Sequence, residues 1–461
     1  MGGARPDSRG MHNRTPRRRR LSVFRESTDR DPAVAGDGDV ELPGSELQFP
    51  GNAGAVGSVA VGRQWRQRTG AEEGDAAGRK PFCVSAADTP VMGLEEEIEE
   101  IEEEIASTPY NKSTEQHIGR LKSKLAELKE ELERKQSSSG GGPGYAVEKT
   151  GDATVALVGF PSVGKSTLLN ALTNADSETG SYEFTTLDVN PGMLKYKGAN
   201  VQLLDVPGLV EGAAGGRGDG QEVLSVVRTA DLVLFLLSVF EIDQYERLHE
   251  ELYRNGIRLD QEPPRVSARK KAKDGISITA SVDLELDEGT ITSILREHGY
   301  ANADVTIGEQ VDIDRLIDGI RDNRVYLPSL VAVNKADLIE PDYAETVKDR
   351  LREHDVDPGE AIFISAEEDR GLDALRETIW QELGLIRVYM DKPGRGVDYE
   401  EPLILFEGDT VGDACEKLGG EFADRFRFAR VSGPSAKHDE QQVGTDHELA
   451  DEDVLRILTT K

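Results

Sequence analysis

Residues 159–167 read GFPSVGKST, and this segment is the strongest indication of the architecture. It fits the pattern G-x-x-x-x-G-K-S, whose glycines let backbone N–H groups close around a phosphate. Residues 154–158 before it are apolar and partly β-branched, which predicts a strand, and residues 168–173 after it predict a helix. A loop of this kind, between a strand and the start of a helix, predicts a phosphate-binding loop in an α/β domain.

The phosphate-binding loop also carries side chains with expected roles. We expect Lys165 to bridge the β- and γ-phosphates of a nucleotide and Ser166 to be a ligand of Mg²⁺. The residues of this loop predicted to contact the nucleotide are Gly159, Phe160, Pro161, Ser162, Val163, Gly164, Lys165, Ser166 and Thr167. This loop alone does not specify the base.

A second motif, N-K-x-D, indicates the base. It consists of Asn334, Lys335, Ala336 and Asp337, directly after a predicted strand at residues 330–333. The Asp337 carboxylate can accept hydrogen bonds from N1–H and the 2-amino group of guanine, two donors that adenine does not offer on that edge. We expect Lys335 to pack its stem along the base and Asn334 to tie this loop to the phosphate-binding loop. The tetrapeptide alone is weak evidence, but its position after a strand and downstream of the phosphate-binding loop predicts guanine.

Three further loops complete the predicted site. Asp205 ends a predicted strand and would hold Mg²⁺ through a water, while the backbone N–H of Gly208 would sense the γ-phosphate. A threonine in the polar loop around residue 185 can ligate Mg²⁺ only when a γ-phosphate is present, which predicts a switch. The backbone after a strand at residues 362–364 would support the guanine. The residues of these loops predicted to contact the nucleotide are Phe184, Thr185, Thr186, Asp205, Val206, Pro207, Gly208, Ser365, Ala366 and Glu367.

The residue after Gly208 limits the catalytic prediction. Many GTPases orient the attacking water with a Gln at that place, but here it is Leu209, which cannot position water. The predicted catalytic groups are therefore Lys165 and the backbone of Gly208, with no catalytic Gln.

The order of apolar runs predicts the architecture. Strands expected at residues 154–158, 201–206, 232–237, 330–333 and 362–364 alternate with helical patterns, which predicts a mostly parallel sheet covered by helices on both faces. The interval of about 90 residues before residue 330 is too long for one crossover. It predicts an α+β insertion at about residues 243–325, with a basic run at 269–273 and an alternating strand at 276–286. The whole α/β domain is expected at residues 151–386.

The flanking regions differ from this domain. Residues 1–91 lack sustained periodicity and are expected to be disordered or an untranslated extension, with Met92 as the start; a basic nucleic-acid-binding arm is the alternative. Residues 92–136 predict a helical hairpin with a Ser113/Gln116 capping box, residues 137–150 a linker, and residues 387–461 a small α+β domain with a helix at 411–421.

The composition favours a cytoplasmic location and an acidic surface. The net charge is −32, and residues 1–91 are nearly balanced, so the remaining chain is strongly acidic. Such a surface repels nucleic-acid phosphates on average and fits adaptation to high salt, so any RNA contact must be local. Cys83 and Cys415 cannot form a disulfide framework, and the longest apolar run is too short to span a membrane.

Longer stretches give a resemblance that covers residues 92–461. They are GFPSVGKST (159–167), YEFTTL (182–187), YKGANVQLL (196–204), GLVEGAAGG (208–216), RTAD (228–231), NRVY (323–326) and VGTDHELADEDVLRI (443–457). In these stretches the chain resembles the developmentally regulated GTP-binding proteins, an Obg-like group within the translation-factor-related GTPases; with its acidic surface, this indicates a salt-adapted archaeal source. Ser238 departs from the resemblance, because relatives often carry Asp there.

The resemblance implies a G domain with the insertion and a C-terminal TGS domain of β-grasp-like fold. It also implies that Ser166 and Thr186 are the Mg²⁺ ligands. The implied function is that of a ribosome-associated regulatory GTPase, which binds GTP and GDP and has a regulatory protein as a further partner. RNA or ribosome contact would fall to residues 269–273 and to Phe426, Arg427, Phe428, Arg430, Lys437 and His438. Because the family resembles GTPases with a hydrophobic residue at the place of Leu209, the resemblance also implies slow intrinsic hydrolysis unless a partner or K⁺ assists. A GTP-binding scaffold with negligible turnover and a P-loop metabolic enzyme are the alternatives.

Overall fold

A computed structural model of the chain describes residues 89–139, 149–173, 190–206, 219–321, 323–392 and 394–460. The predictions for residues 1–88 fall outside the described residues. So do those for Phe184, Thr185 and Thr186 and for Pro207, Gly208 and Leu209.

The described residues form the following elements. The helices are α1 (Thr89–Ser107), α2 (Glu115–Ser139), α3 (Lys165–Thr173), α4 (Asp219–Thr229), α5 (Gln244–Arg254), α6 (Glu288–Glu297), α7 (Ile313–Ile320), α8 (Pro341–Glu353), α9 (Leu372–Glu382), α10 (Val411–Leu418) and α11 (Gly420–Asp424). The strands are β1 (Ala153–Val158), β2 (Asn190–Tyr196), β3 (Ala199–Asp205), β4 (Leu232–Ser238), β5 (Ile257–Leu259), β6 (Val266–Lys270), β7 (Ile276–Ala280), β8 (Ala303–Ile307), β9 (Val325–Leu327), β10 (Ser329–Asn334), β11 (Ile362–Phe363), β12 (Leu385–Lys392), β13 (Gly396–Phe406), β14 (Phe426–Ser432), β15 (Gln441–Val443) and β16 (Asp453–Thr459).

The central sheet has the strand order β11-β10-β4-β1-β3-β2, and every neighbouring pair is parallel except β2 with β3. The contacts of strand β4 explain its continuous apolar sequence. Phe235 packs into the core on one face of the sheet, and Leu234 and Leu236 pack into the core on the other face. Both faces are buried, so both residue sets must be apolar. The predicted mostly parallel sheet is confirmed, whereas the antiparallel edge strand β2 was not predicted, because Pro191 and Gly192 interrupt its pattern.

The insertion forms its own sheet, β6-β8-β7, which shares a core with α6 and α7. The strand predicted at residues 276–286 is wrong in its second half, because β7 ends at Ala280. The backbone beyond it bonds to side chains: the Gln310 amide donates to the Asp283 carbonyl and accepts from the Glu285 N–H, and Lys112 Nζ donates to the Glu285 carbonyl at 2.9 Å. Acidic residues, which are rare in strands, occupy this segment.

A buried ion cluster joins separate parts of the insertion, next to the core of the central sheet. The Asp318 carboxylate of α7 accepts from Arg258 Nε at 2.6 Å and Nη2 at 3.0 Å, and from Arg324 Nε at 2.7 Å. The Asp318 and Arg258 side chains are each only 5% exposed. Helix α5 and strand β5 beside this cluster contribute Leu248, Leu252 and Ile257 to the core of the central sheet.

The helical hairpin, α1 and α2, packs against the insertion. Ile118 of α2 is part of the insertion core, and Gly119 allows close approach to Ile294. The predicted capping box is wrong: Gln116 Nε2 donates to Ser293 Oγ at 2.6 Å, and Asn111 Oδ1 accepts the N–H of Ser113 at 3.0 Å. Helix α2 also continues through Ser139, so the three serines belong to the helix.

The C-terminal domain is a five-stranded sheet, β13-β12-β16-β14-β15, with α10 and α11 in place of the single predicted helix. Its Lys417 forms an ion pair with Asp152 at 2.9 Å, beside the start of β1. Among the described helices, none is long and apolar enough to cross a membrane.

Candidate nucleotide-binding site

The phosphate-binding loop follows β1, and its backbone conformation and close packing restrict which residues can occupy it. Ser162 has φ of 66° and Gly164 has φ of 101°. A Cβ atom at Gly164 would lie 2.4 Å from Asn334 Nδ2, and one at Gly159 would lie 2.5 Å from the Leu236 carbonyl oxygen. Glycine is therefore required at both positions, by close packing and, at Gly164, also by its left-handed backbone.

Lys165, the first residue of α3, turns its ammonium group back over this loop. Its Nζ donates to the Gly159 carbonyl at 2.8 Å and to the Phe160 carbonyl at 3.2 Å. Burial lowers the pKa of this ammonium, and the nearby Asp205 carboxylate opposes that effect. A partly desolvated cation inside a glycine-rich loop at a helix N-terminus is complementary to a phosphate group.

The residues predicted to hold Mg²⁺ meet at the end of β3. Ser166 Oγ donates to Asp205 Oδ2 at 3.2 Å. The Asp205 side chain is buried, and its Oδ1 has no hydrogen-bond partner among the described residues. A hydroxyl next to a carboxylate oxygen that lacks a partner fits a Mg²⁺ ion with water in its coordination shell. Asn190 pairs with Asp205 in the sheet, so the chain enters β2 at this same edge.

Asn334 connects three loops. Its side chain is buried; Nδ2 donates to the Val163 carbonyl at 2.8 Å, and Oδ1 accepts the Ala366 N–H at 3.0 Å. Ala336 N–H donates to the Ile364 carbonyl at 3.0 Å. The phosphate-binding loop, the N-K-x-D loop and the loop around Ser365 are therefore fixed to one another.

Lys335 and Asp337 lie on the outer side of this connection. Lys335 has φ of 65°, and its Nζ donates to the Ser162 carbonyl at 2.8 Å, so its stem spans the gap between the two loops. Asp337 lies half-exposed in a short 3-10 helix, Ala336–Leu338. Ser365 is buried, whereas Glu367 is exposed.

Sequence reasoning gave no role to Ser238, and the structure supplies a positional one. Ser238 ends β4 beside Asn334, is 2% exposed, and its Oγ accepts the Phe240 N–H at 3.4 Å. The next residue, Val239, donates its N–H to the Asn334 carbonyl at 3.1 Å. The signal in the sequence was a single polar residue at the end of an apolar strand.

Some of the residues suggested for RNA contact are paired or packed against a core, and others are exposed. Lys271 pairs with Asp304 at 2.6 Å, while Arg269 is exposed on β6. In the C-terminal domain, Phe426 packs against the core, and Arg430 pairs with Glu440 at 2.8 Å. The others of this set are partly or fully exposed: Arg427, Phe428, Lys437 and His438.

Family models match three consecutive parts of the chain. Residues 154–271 match the family described as 50S ribosome-binding GTPase, residues 273–385 match the C-terminal region of that domain, and residues 386–459 match the TGS domain. These matches confirm the G domain and the TGS domain.

Relatives at high identity cover most of the chain. An uncharacterized GTP-binding protein of Halobacterium salinarum is 70% identical over 370 residues, which is 80% of this chain and 100% of that protein. The developmentally-regulated GTP-binding protein 1 of Xenopus laevis is 43% identical over 366 residues, 78% of this chain and 98% of that protein. The solved YchF GTPase of Schizosaccharomyces pombe is a distant likeness, with 14% identity, a TM-score of 0.39, and coverage of 68% of this chain and 99% of that one.

The site and the relatives agree on the class of protein. A phosphate-binding loop tied by Asn334 to an N-K-x-D loop is the arrangement expected of a GTP-binding protein of the translation-factor-related type. Relatives that align over 78–80% of this chain are described as GTP-binding proteins. The chain belongs to the developmentally regulated GTP-binding protein family.

Proposed function

We propose that this protein hydrolyses GTP to GDP and phosphate with Mg²⁺ and acts as a regulatory GTPase of translation in the cytoplasm. The observation that carries the hydrolysis proposal is the hydrogen bond from Ser166 to Asp205, whose buried Oδ1 has no hydrogen-bond partner among the described residues. A site built only to hold a nucleotide would not need a buried carboxylate oxygen kept available for a metal-bound water.

Each residue has a separate part in the proposed reaction. Lys165 would hold the β- and γ-phosphates in line with the helix start, and Ser166 would be a direct metal ligand together with Thr186. Mg²⁺, when bound, neutralises charge on the phosphate oxygens. Asp337 would select guanine, and the Gly208 N–H would contact the γ-phosphate.

Leu209 sets the proposed rate. Its side chain has no hydrogen-bonding group, so it cannot orient water, and the reaction then depends on backbone donors, on Lys165 and on an additional cation such as K⁺. We therefore propose slow intrinsic hydrolysis that K⁺, a regulatory protein or the ribosome accelerates. The alternatives are a GTP-binding scaffold with negligible turnover and a P-loop metabolic enzyme, which would need a second substrate but no N-K-x-D loop.

Phosphate release from GTP tests hydrolysis. The rate is measured for the full chain in buffers of equal ionic strength that contain K⁺ or Na⁺, and for Ser166→Ala and Asp205→Asn. We expect turnover that rises in K⁺ and falls by about 100-fold or more in Ser166→Ala, because a direct metal ligand is lost. Ser435→Ala, a serine of the C-terminal domain, is the matched control and keeps the parental rate. Turnover that is absent under all conditions favours the scaffold.

Co-sedimentation with ribosomes tests the role in translation. The family description of the G domain and the presence of a TGS domain support ribosome contact for this chain. We expect more protein to sediment with ribosomes in a non-hydrolysable GTP analogue than in GDP, because a nucleotide switch must bind its target differently in its two states. Equal sedimentation in both nucleotides would argue against a regulatory cycle on the ribosome.

A further inference from the structure

A second cavity lies away from the nucleotide-binding loops, where the helical hairpin meets the insertion. Its volume is about 660 Å³, and its walls come from α2, the end of β6, and the residues that follow α6 and α7. This volume is in the range of small-molecule binding sites. The cavity opens to the surface and contains no residue of the phosphate-binding or N-K-x-D loops.

Two nitrogen atoms in the wall of this cavity lack hydrogen-bond partners among the described residues. They are Arg321 Nη1 and His298 Nε2. Both side chains are more than nine-tenths buried, with exposures of 7% for Arg321 and 6% for His298. A buried donor without a partner destabilises the folded protein, so an acceptor from a ligand would stabilise this wall.

The charges around the cavity are balanced. Three acidic and three basic side chains contribute to its walls: Glu127, Glu130, Glu131, Arg134, Lys270 and Arg321. Glu130 already pairs with Arg321 Nη2 and with Arg134, and Glu131 pairs with Lys135. The Nδ1 atom of His298 lies 4.0 Å from Glu127, and burial lowers the pKa of His298 to about 4, so this imidazole is neutral near pH 7. Burial raises the pKa of Glu127, the charge of Arg321 opposes that effect, and the charge of Glu297 adds to it.

The groups available to a ligand are therefore the Arg321 Nη1 donor and the Glu127 carboxylate, with the Lys270 ammonium as a second cation in the wall. Glu127 and Glu130 are three residues apart on α2, hence on one helix face, and Glu130 contacts Arg321 directly. Tyr300 and Ile320 add an aromatic and an aliphatic wall, and the Lys270 ammonium lies 4.9 Å from the Tyr300 ring centroid.

We propose that this cavity binds a small zwitterion of the amino-acid type. The ligand carboxylate accepts from Arg321 Nη1 and the His298 imidazole, the ligand ammonium lies beside Glu127, and an apolar side chain packs against Tyr300 and Ile320. A simple anion would be repelled by Glu127, and a simple cation would leave Arg321 Nη1 without an acceptor. Bound there, the ligand would brace the helical hairpin against the insertion.

Calorimetric titration tests the proposal with the GDP-loaded full chain, so that the nucleotide site is filled throughout. The probes are L-phenylalanine and L-leucine, together with 3-phenylpropionate, which lacks the ammonium, and phenethylamine, which lacks the carboxylate. We expect at least one amino acid to bind with one-to-one stoichiometry and both single-charge analogues to bind at least about tenfold more weakly, because each loses a charge-assisted hydrogen bond.

Variants assign the binding to these residues. Arg321→Gln should weaken amino-acid binding at least about tenfold, and Glu127→Gln should weaken the amino acid while leaving 3-phenylpropionate unchanged or tighter. Because Arg321→Gln removes a buried ion pair and can unfold the insertion, the half-exposed Glu127 provides the second variant. Glu97→Gln, on α1 and outside the cavity, is the matched control and keeps parental binding. The proposal is overturned if neither amino acid binds at millimolar concentration, or if an analogue binds as tightly as its parent.

Discussion

Replacing Asn334 with Ala removes the connection among three loops of the nucleotide site. The change deletes the donor to the Val163 carbonyl and the acceptor of the Ala366 N–H, at 2.8 and 3.0 Å. Asn334 is 3% exposed, so water cannot replace these partners without opening the site. Each buried group left without a partner costs about 1–3 kcal/mol, which gives a total of about 2–6 kcal/mol.

This free energy divides between folding and binding. Part of this cost lowers the free energy of unfolding. The other part weakens GDP binding, because GDP must then order loops that Asn334 no longer connects. If half of the total appears in binding, GDP affinity falls by about 1–3 kcal/mol, or roughly 5- to 150-fold. Fluorescent GDP titration measures the affinity, and urea unfolding measures the stability at the same salt concentration.

A matched deletion separates the two contributions. Asn255 lies at the end of α5, and its Nδ2 donates to the Glu251 carbonyl at 2.7 Å, away from the nucleotide loops. Asn255→Ala should lower stability and leave GDP affinity unchanged. A GDP affinity for Asn334→Ala within twofold of the parental value would refute the claim that this side chain organises the site.

Three further substitutions test other parts of the structure. Asp337→Asn should weaken GTP binding and favour xanthosine triphosphate, which has a carbonyl where guanine has its 2-amino group; unchanged GTP affinity would contradict the guanine assignment. Gly164→Ala should abolish tight nucleotide binding, because the new Cβ would lie 2.4 Å from Asn334 Nδ2 at a left-handed backbone position, and parental affinity in a nucleotide titration would refute this. Asp318→Asn should lower the free energy of unfolding by about 3–5 kcal/mol, because the buried Arg258 and the partly buried Arg324 lose their counter-charge, and a urea midpoint equal to that of the parent would exclude it.

The central sheet was predictable because its information is local. A strand buried on both faces must be apolar along its length, as β4 is from Leu232 to Leu237. The loop that begins at Gly159 is also predictable, because glycines followed by a lysine and a serine form a motif with few structures other than a phosphate-binding loop. Strand β2 was missed because its pairing with β3, rather than its own sequence, makes it a strand. The second half of the strand predicted after Ile276 was wrong for the opposite reason. Its sequence alternates as a strand would, but the Asp283 carbonyl and the Glu285 N–H form hydrogen bonds with the side chain of Gln310 rather than with another strand.

The two candidate sites also differ in how much of each could be predicted from the sequence. The nucleotide loops carry their chemistry in consecutive residues, so the sequence alone predicts Lys165, Asn334 and Asp337, and the structure adds how Asn334 joins them. The cavity at the hairpin has no motif, because His298 and Arg321 acquire their properties only from burial without a partner, and Glu127 faces them from a helix far away in the chain. Unpartnered buried groups belong to the tertiary structure rather than to any sequence pattern, and a ligand that satisfies both Arg321 and Glu127 would couple the hairpin to the insertion. A neutral zwitterion can do this without the net charge that a strongly acidic protein would repel.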